Sequence, residues 1–280
     1  MTKQDLLRCV FRSLPIPGRL LSSALNLVGC DPASIPMPVV SRDRWNSFKI
    51  RITDPTDLVQ RQIFFQGYFE YHESVFMRKF LKPAQVFVDI GANIGWHTLI
   101  AASCVGPRGR VIGCEPATAT FAQLAKNVEL NHFGNVTLHR LGLGAQPGSF
   151  DIFECEEGNS GANSLYASCG QAPVESVTIE NGDAFFQTHG IHQVDLCKID
   201  VEGAEFDVLN GLKQTLADRK ISCMLIEAND AALRRSGHSA DELISGLIGY
   251  GFRLRDPRTS EPVLRASDVP RGQNLIAELQ

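Results

Sequence analysis

Four acids, each placed where an apolar run stops, hold the most evident capacity for chemistry in this chain. Asp89 precedes a glycine-spaced turn in "VFVDIGANIGWHT", Glu115 closes "RVIGCE", Asp200 closes "VDLCKID" and Glu227 lies in "CMLIEA". Open α/β sheets bind ligands beyond the carboxyl ends of their strands, so acids at those ends would converge on one cleft. The turn itself reads D-x-G-x-N-x-G from Asp89 to Gly95, whereas a pyrophosphate cradle reads G-x-G-x-x-G. Gly91 and Gly95 permit a tight turn with a ligand close to the backbone. Asn93 tolerates a positive φ and offers an amide. An acid ahead of the turn would repel a diphosphate and suits a cationic amino group. Glu115, twenty residues past Gly95, can accept both hydroxyls of a ribose. A ribose and an ammonium without a diphosphate describe S-adenosylmethionine. The plainer alternatives are a structural strand–helix turn for the glycines and a helix N-terminal acid for Glu115.

Lys198 and Asp200 share one face of their strand by the two-residue period. Charges inside a buried strand are costly unless paired or functional. The pair could therefore orient a substrate or settle the ionisation of Asp200, with Glu227 reaching the same cleft. A structural ion pair beside the following helix is the bland reading, and Glu205 and Asp207 fit it better as first-turn acids. Several carboxylates together could also hold a hard cation such as Mg²⁺ or Ca²⁺, a reading ranked below the methyl donor. No His/Cys spacing supports zinc, and no residue is assigned to a metal. His97, in the first helical turn after Gly95, could point toward the cleft, although a surface or satisfied histidine is the plainer reading. Asn163, Ser164 and Tyr166, in the polar loop "EEGNSGANSLY", could bind hydroxyls of an acceptor.

The elements that must carry these residues follow from periodicity. Helical patches over 4–13 and 17–28 are split by "PIPG", and "CDPASIPMPVV" reads as a linker. "SFKIRIT" alternates like a half-exposed strand, and 56–82 is an aromatic-rich helical stretch. Strands are expected at 85–90, 110–115, 136–144, 194–200 and 223–228, with helices between them and short strands inside an excursion over 145–193. Alternating strands and helices with near-continuous apolar strands indicate an α/β sheet covered on both faces. We divide the chain into an N-terminal helical appendage and linker, 1–55, and a main domain, 56–280.

The chain has 280 residues, 44% hydrophobic and 21% charged, enough to bury a sizeable core. A net charge of −4 gives no electrostatic case for nucleic acid. No apolar run is long enough to span a bilayer, no signal peptide is evident, and eight cysteines without CxxC suit a reducing cytoplasm. The N-terminal helices should pack on the main domain, with peripheral membrane contact as the alternative. The sequence leaves the oligomeric state open.

"FVDIGANIGWHTL", "GCEPATATFAQLAKNVELN", "NSGANSLY", "VTIENGDAFF" and "VDLCKIDVEGAEFDVLNG" resemble, in order and spacing, the FkbM-type methyltransferases. The resemblance covers about 60–280. It implies a class I methyltransferase (Rossmann-like) fold: a seven-stranded, mostly parallel sheet whose last strand runs antiparallel, formed by "GFRLR" and "QNLIAEL" at its end. It also implies S-adenosylmethionine as donor and O-methylation of a sugar, lipid or natural-product hydroxyl. Carried onto this sequence, Asp89, Gly91, Asn93 and Gly95 would line the methionine end, and Glu115 would take the ribose. Gly142 and Leu143 would flank the adenine, and Glu70 would close over the cofactor. Asp200 is the first candidate to take the acceptor's proton, Glu227 the second, with Lys198 as partner. Two other readings remain: a nicotinamide oxidoreductase, disfavoured by the missing glycine and by Asp89, and a cofactor-binding scaffold without catalysis.

Overall fold

The computed structural model describes residues 3–13, 18–154, 163–166, 171–269 and 274–280. In chain order the elements are α1 (Lys3–Ser13), α2 (Gly18–Leu27), β1 (Val39–Arg42), β2 (Lys49–Ile52), α3 (Leu58–Gln66), α4 (Tyr71–Phe80), β3 (Val86–Ile90) and α5 (Trp96–Val105). They continue with β4 (Arg110–Cys114), α6 (Thr118–Leu130), β5 (Val136–His139), β6 (Gly142–Gly144), β7 (Gly148–Glu154), β8 (Asn163–Ser164), β9 (Glu175–Asn181) and α7 (Gly182–Thr188). The last third holds β10 (Leu196–Ile199), α8 (Glu205–Gly211), α9 (Lys213–Ala217), β11 (Cys223–Glu227), α10 (Asp230–Arg235), α11 (Ala240–Gly249), β12 (Phe252–Arg255) and β13 (Asn274–Leu279).

Seven strands form one sheet in the order β12-β13-β11-β10-β3-β4-β5. The β3, β4, β5, β10 and β11 strands are mutually parallel, and β13 is antiparallel to both of its neighbours. Parallel neighbours need a covering crossover, and helices supply it throughout the first five of these strands. Between β12 and β13 the described residues contain only a short 3-10 turn, Ala266–Asp268, so the chain returns in the opposite sense. Burial on both faces explains the unbroken apolar runs in β3, β4, β10 and β11. Along β3, Phe87 packs with one core cluster while Val88 and Ile90 pack with the other. Asp89 and its register partner Lys198 thus share the face that carries α5.

The N-terminal helices bury Leu7, Phe11, Leu21 and Leu25 in the same cluster as Phe87 and Leu99, so the first 55 residues share the sheet's core. The opposite side of these helices exposes Leu6, Val10, Leu20 and Leu27. The expected linker is ordered: a 3-10 turn at Pro32–Ser34, then β1, which pairs antiparallel with β2. Side chains from α6 satisfy the free edge of β2, where Asn127 Oδ1 accepts from Arg51 N and Asn131 Oδ1 from Lys49 N. No helix among the described residues is long and apolar enough to cross a membrane.

One expected element is corrected. The run 136–144 is not a single strand: β5 ends at His139 in the large sheet, and β6 pairs with β9 in a four-stranded sheet of order β6-β9-β7-β8. Leu141 and Leu143 are buried in either case, so an apolar pattern cannot show to which sheet the backbone bonds. The expected break at "PIPG" and much of the loop "EEGNSGANSLY" lie largely outside the described residues.

Candidate active site

The turn after β3 is built from left-handed backbone at Gly91 (φ 84°), Asn93 (φ 49°) and Gly95 (φ 95°). Gly91 and Ala92 both donate their N–H to the carbonyl of Cys114, at 3.0 and 2.9 Å, which ties the turn to the end of β4. The Asn93 side chain accepts from Ile94 N at 2.6 Å, while Asn93 N donates to Glu115 Oε2 at 2.9 Å. Glu115 Oε1 accepts from Ala117 N at 3.0 Å. One carboxyl group therefore joins the turns after β3 and β4. From the far side Asn127 Nδ2 donates to Ile94 O, so the same asparagine that caps β2 also fixes the glycine turn.

Over these strand ends lies a cavity of about 240 Å³. Its walls follow the lateral order of the strands: Glu227 from β11, Lys198 and Asp200 from β10, Gly91 and Asn93 after β3, Glu115 after β4. Gly142 and Leu143 of β6 also line it, and Glu70 lines it from the start of α4. Nine of the eleven residues singled out for catalysis or cofactor binding therefore meet in one space.

Asp89 and Gly95 are not on its wall. Asp89 is 1% exposed and sits below the cavity, where its Oδ2 accepts from Thr98 Oγ1 at 2.6 Å. Its register opposite Lys198 places it inside the sheet, one residue short of the strand end. Gly95 faces α6, where an added Cβ would come within 2.6 Å of Leu124 Cδ1. It is needed for packing rather than for ligand approach.

The loop residues divide as well. Asn163 lines the cavity, but Ser164 Oγ donates to Glu202 O at 2.7 Å and Tyr166 OH donates to Asp207 Oδ2 at 2.8 Å. These two fasten the loop to the turn after β10. Glu205, first read as a helix acid, folds that turn: its Oε1 accepts from Val201 N and Gly203 N, each at 3.2 Å.

One residue on the wall is expected only as an alternative, and a second is not expected. His97 is only 5% exposed, lines the cavity, and places Nε2 3.3 Å from Glu70 Oε2. Its neighbours carry the signal: α5 is apolar nearly all round, and a histidine in such a helix is buried wherever it points. Glu202 lines the cavity two residues beyond Asp200, a spacing visible in "KIDVEG".

Burial governs the charges here. It pushes Glu115 up to about 7, against the pull of its two backbone N–H donors. Glu70 rises to about 8, chiefly by burial, with Lys198 opposing. Glu227 is raised well above the usual carboxyl range by burial and by Asp200, Glu202, Glu205 and Glu70. His97 is driven well below its ordinary value by burial and then by Lys198. Burial thus favours the uncharged form of both Glu70 and His97, and neither facing atom makes a hydrogen bond of good geometry. Burial alone would lower the Lys198 ammonium, but Asp200, Glu70 and Asp89 outweigh it and raise it. Lys198 Nζ lies 2.5 Å from Asp200 Oδ2.

A pH dependence follows. An acid raised in the folded state holds a proton that the unfolded chain has released, so stability falls as pH climbs from the unfolded value toward the folded one. Glu205, also raised to about 7 by burial, acts with Glu115 and Glu70. The lowered His97 acts in the opposite sense below its unfolded value of about 6.5. The net loss should therefore be clearest between about pH 6.5 and 8, on the order of 2 kcal/mol. Calorimetric unfolding of the ligand-free protein at constant ionic strength checks this, and a flat or rising profile over that interval contradicts it.

A seven-stranded sheet with one antiparallel strand between its last two parallel members, and a glycine turn after β3 tied to an acid after β4, define the class I methyltransferase fold. The chain belongs to the FkbM methyltransferase family: residues 89–254 match the methyltransferase FkbM domain. It is 30% identical over 167 residues to Methyltransferase 1 of Beauveria bassiana, an alignment covering 50% of this chain and 66% of that protein. It is 28% identical over 142 residues to the hexuronic acid methyltransferase AglP of Haloferax volcanii, covering 51% of this chain and 55% of that protein. The chain thus spans less than two thirds of the length of either relative. The crystal structure of methyltransferase FkbM from Methylobacillus flagellatus superposes with a TM-score of 0.44 at 14% identity, over 81% of this chain and 56% of that one.

Proposed function

We propose that the chain transfers the methyl group of S-adenosylmethionine to a hydroxyl oxygen of a small-molecule, glycan or lipid acceptor. The carrying observation is the charge of the cavity: among its described lining residues five are acids (Glu70, Glu115, Asp200, Glu202 and Glu227), and Lys198 is the only Lys or Arg. A dinucleotide would bring a diphosphate into that space with no free cation to meet it, whereas an ammonium and a sulfonium are matched. The orphaned oxygen of Glu70, buried and without a hydrogen-bond partner, fits the ammonium in the same way, since a cation there favours its ionised form.

When bound, the cofactor supplies a methyl group on a positively charged sulfur. Glu115 has lone pairs left over after its two backbone donors and accepts the ribose hydroxyls. Gly142 and Leu143 offer an apolar wall for the adenine, and Glu70 faces the ammonium. Orientation of the acceptor provides much of the acceleration in an in-line displacement. As the new C–O bond forms, the acceptor's hydroxyl proton must leave, and the Asp200 carboxylate is placed to take it, held in position by Lys198 Nζ. Glu227 is less suited to that step, because burial and its acidic neighbours favour its protonated form. The hexuronic acid named for AglP makes a hexuronic acid one acceptor worth assaying first.

S-adenosylhomocysteine at about 100 times its Kd should raise the thermal midpoint by roughly 5 °C or more. NAD should leave it unchanged. Stabilisation by NAD alone would overturn the assignment.

A further inference from the structure

We propose that Asp200, Glu202 and Glu227 form a binding site for a hard divalent cation at the β10–β11 end of the cavity. Each of the three offers one carboxylate oxygen, and these oxygens lie within 4.8 Å of one another. Oxygens opposite each other across one ion are about 4.2 Å apart for Mg²⁺ and about 4.8 Å for Ca²⁺, twice the usual metal–oxygen distance. Side-chain rotations of a few tenths of an ångström would bring all three oxygens onto a single ion, with the backbone left in place.

Acids on a surface often cluster without a ligand, but two features separate this group from that case. All three residues are partly buried and line the cavity. Glu227 Oε2 is shut off from solvent and has no hydrogen-bond partner in the described structure, an arrangement that costs free energy unless something else supplies the partner. Lys198 does not fill that role: its Nζ donates to Asp200 Oδ2 at 2.5 Å and makes no hydrogen bond to Glu227 Oε2. Asp200 has a second oxygen to offer.

The donor chemistry selects the ion. Three carboxylates with no histidine or thiol favour Mg²⁺, Mn²⁺ or Ca²⁺ over zinc or copper. The site differs from the wider ring of strand-end acids, because Asp89 is sealed beneath the cavity and Glu115 is held by Asn93 N and Ala117 N. Three protein oxygens leave part of the coordination sphere open toward the cavity, where hydroxyl or carboxylate oxygens of an acceptor can bind. The ion thus gives the acceptor half of the cavity a means of holding oxygen-rich ligands that its own acids would repel.

The site is tested on the full chain, stripped of metal by chelator and gel filtration, with Mn²⁺ as the probe. Loss of the free Mn²⁺ resonance in an electron paramagnetic resonance titration should report one ion per chain, displaced by Mg²⁺ or Ca²⁺. Glu227→Gln and Glu202→Gln should each weaken Mn²⁺ binding by about tenfold or more, since affinity follows the number of charged ligands. S-adenosylhomocysteine binding, followed by calorimetry on the same samples, reports folding of the variants and tests the methyltransferase reading separately. No Mn²⁺ binding up to about 1 mM, the weak end for protein sites of this kind, would overturn the proposal. So would binding that both variants leave unchanged.

Discussion

Gly91→Ala is expected to be the most damaging single change in the molecule relative to its size. A methyl group there would sit 1.8 Å from the carbonyl oxygen of Asp200 and 2.9 Å from its carbonyl carbon. Both clashing atoms are backbone, so no rotamer change relieves them, and φ of 84° is itself strained for alanine. The two strands cannot simply separate, because Asp200 N donates to Ile90 O at 3.0 Å and β3 pairs with β10 along its length. The turn must therefore distort, moving Asn93 away from Glu115 and opening the cavity between its two halves. We expect a loss of at least about 3 kcal/mol in denaturant unfolding. Binding of S-adenosylhomocysteine should disappear even in conditions where the variant stays folded. Gly134→Ala provides the control: nothing lies within 4 Å of its added Cβ and its φ is ordinary, so stability should change little. A Gly91→Ala protein with parental stability and binding would mean that the turn does not pack as described.

That contact also shows what a one-dimensional pattern can carry. Strands β3, β4, β10 and β11 were legible because burial on both faces leaves nearly continuous apolar runs, and the acids at their ends were legible because little else in those runs is polar save Lys198 and the Arg110 that opens β4. Direct packing of the Gly91 turn against the backbone of Asp200 lies beyond such a pattern, since it joins segments far apart in the chain. The same limit explains Asp89. Its place before the turn suggested a wall of the site, but strand register sets it against Lys198, and Thr98, nine residues on, closes over it. Glu205 is the first-turn helix acid its position suggests, and the structure adds what it bonds to: two N–H groups of the preceding turn. His97 was undervalued for a related reason. A lone histidine has no partner that spacing reveals, and Glu70 reaches it only because α4 and α5 pack together, with Trp96 Nε1 donating to Ser74 Oγ at 2.9 Å.

The cavity's charge arrangement leads to the second large effect, at Lys198. This side chain is 2% exposed, and Asp200, Glu70 and Asp89 all raise its affinity for a proton. Lys198→Met keeps most of the volume and removes the only ammonium facing the three acids. Breaking a buried pair by deleting one partner typically costs about 3–5 kcal/mol, because the remaining charge is left uncompensated. Side-chain exposure of 22% at Asp200 lets water relieve part of this, so a value near the lower end is expected. The loss should shrink as pH falls toward 5, where Asp89, already raised by burial, takes up a proton more readily without the lysine. A purely steric cost of methionine would not depend on pH. Asp200→Asn in the Lys198→Met background should recover part of the stability, since the pair interacts and the single effects do not add. Methyl transfer should stay absent in that double variant, because an asparagine side chain offers no carboxylate to receive the acceptor's proton. Recovery of both stability and activity would remove Asp200 from the proton path and leave Lys198 and Asp200 as a structural pair alone.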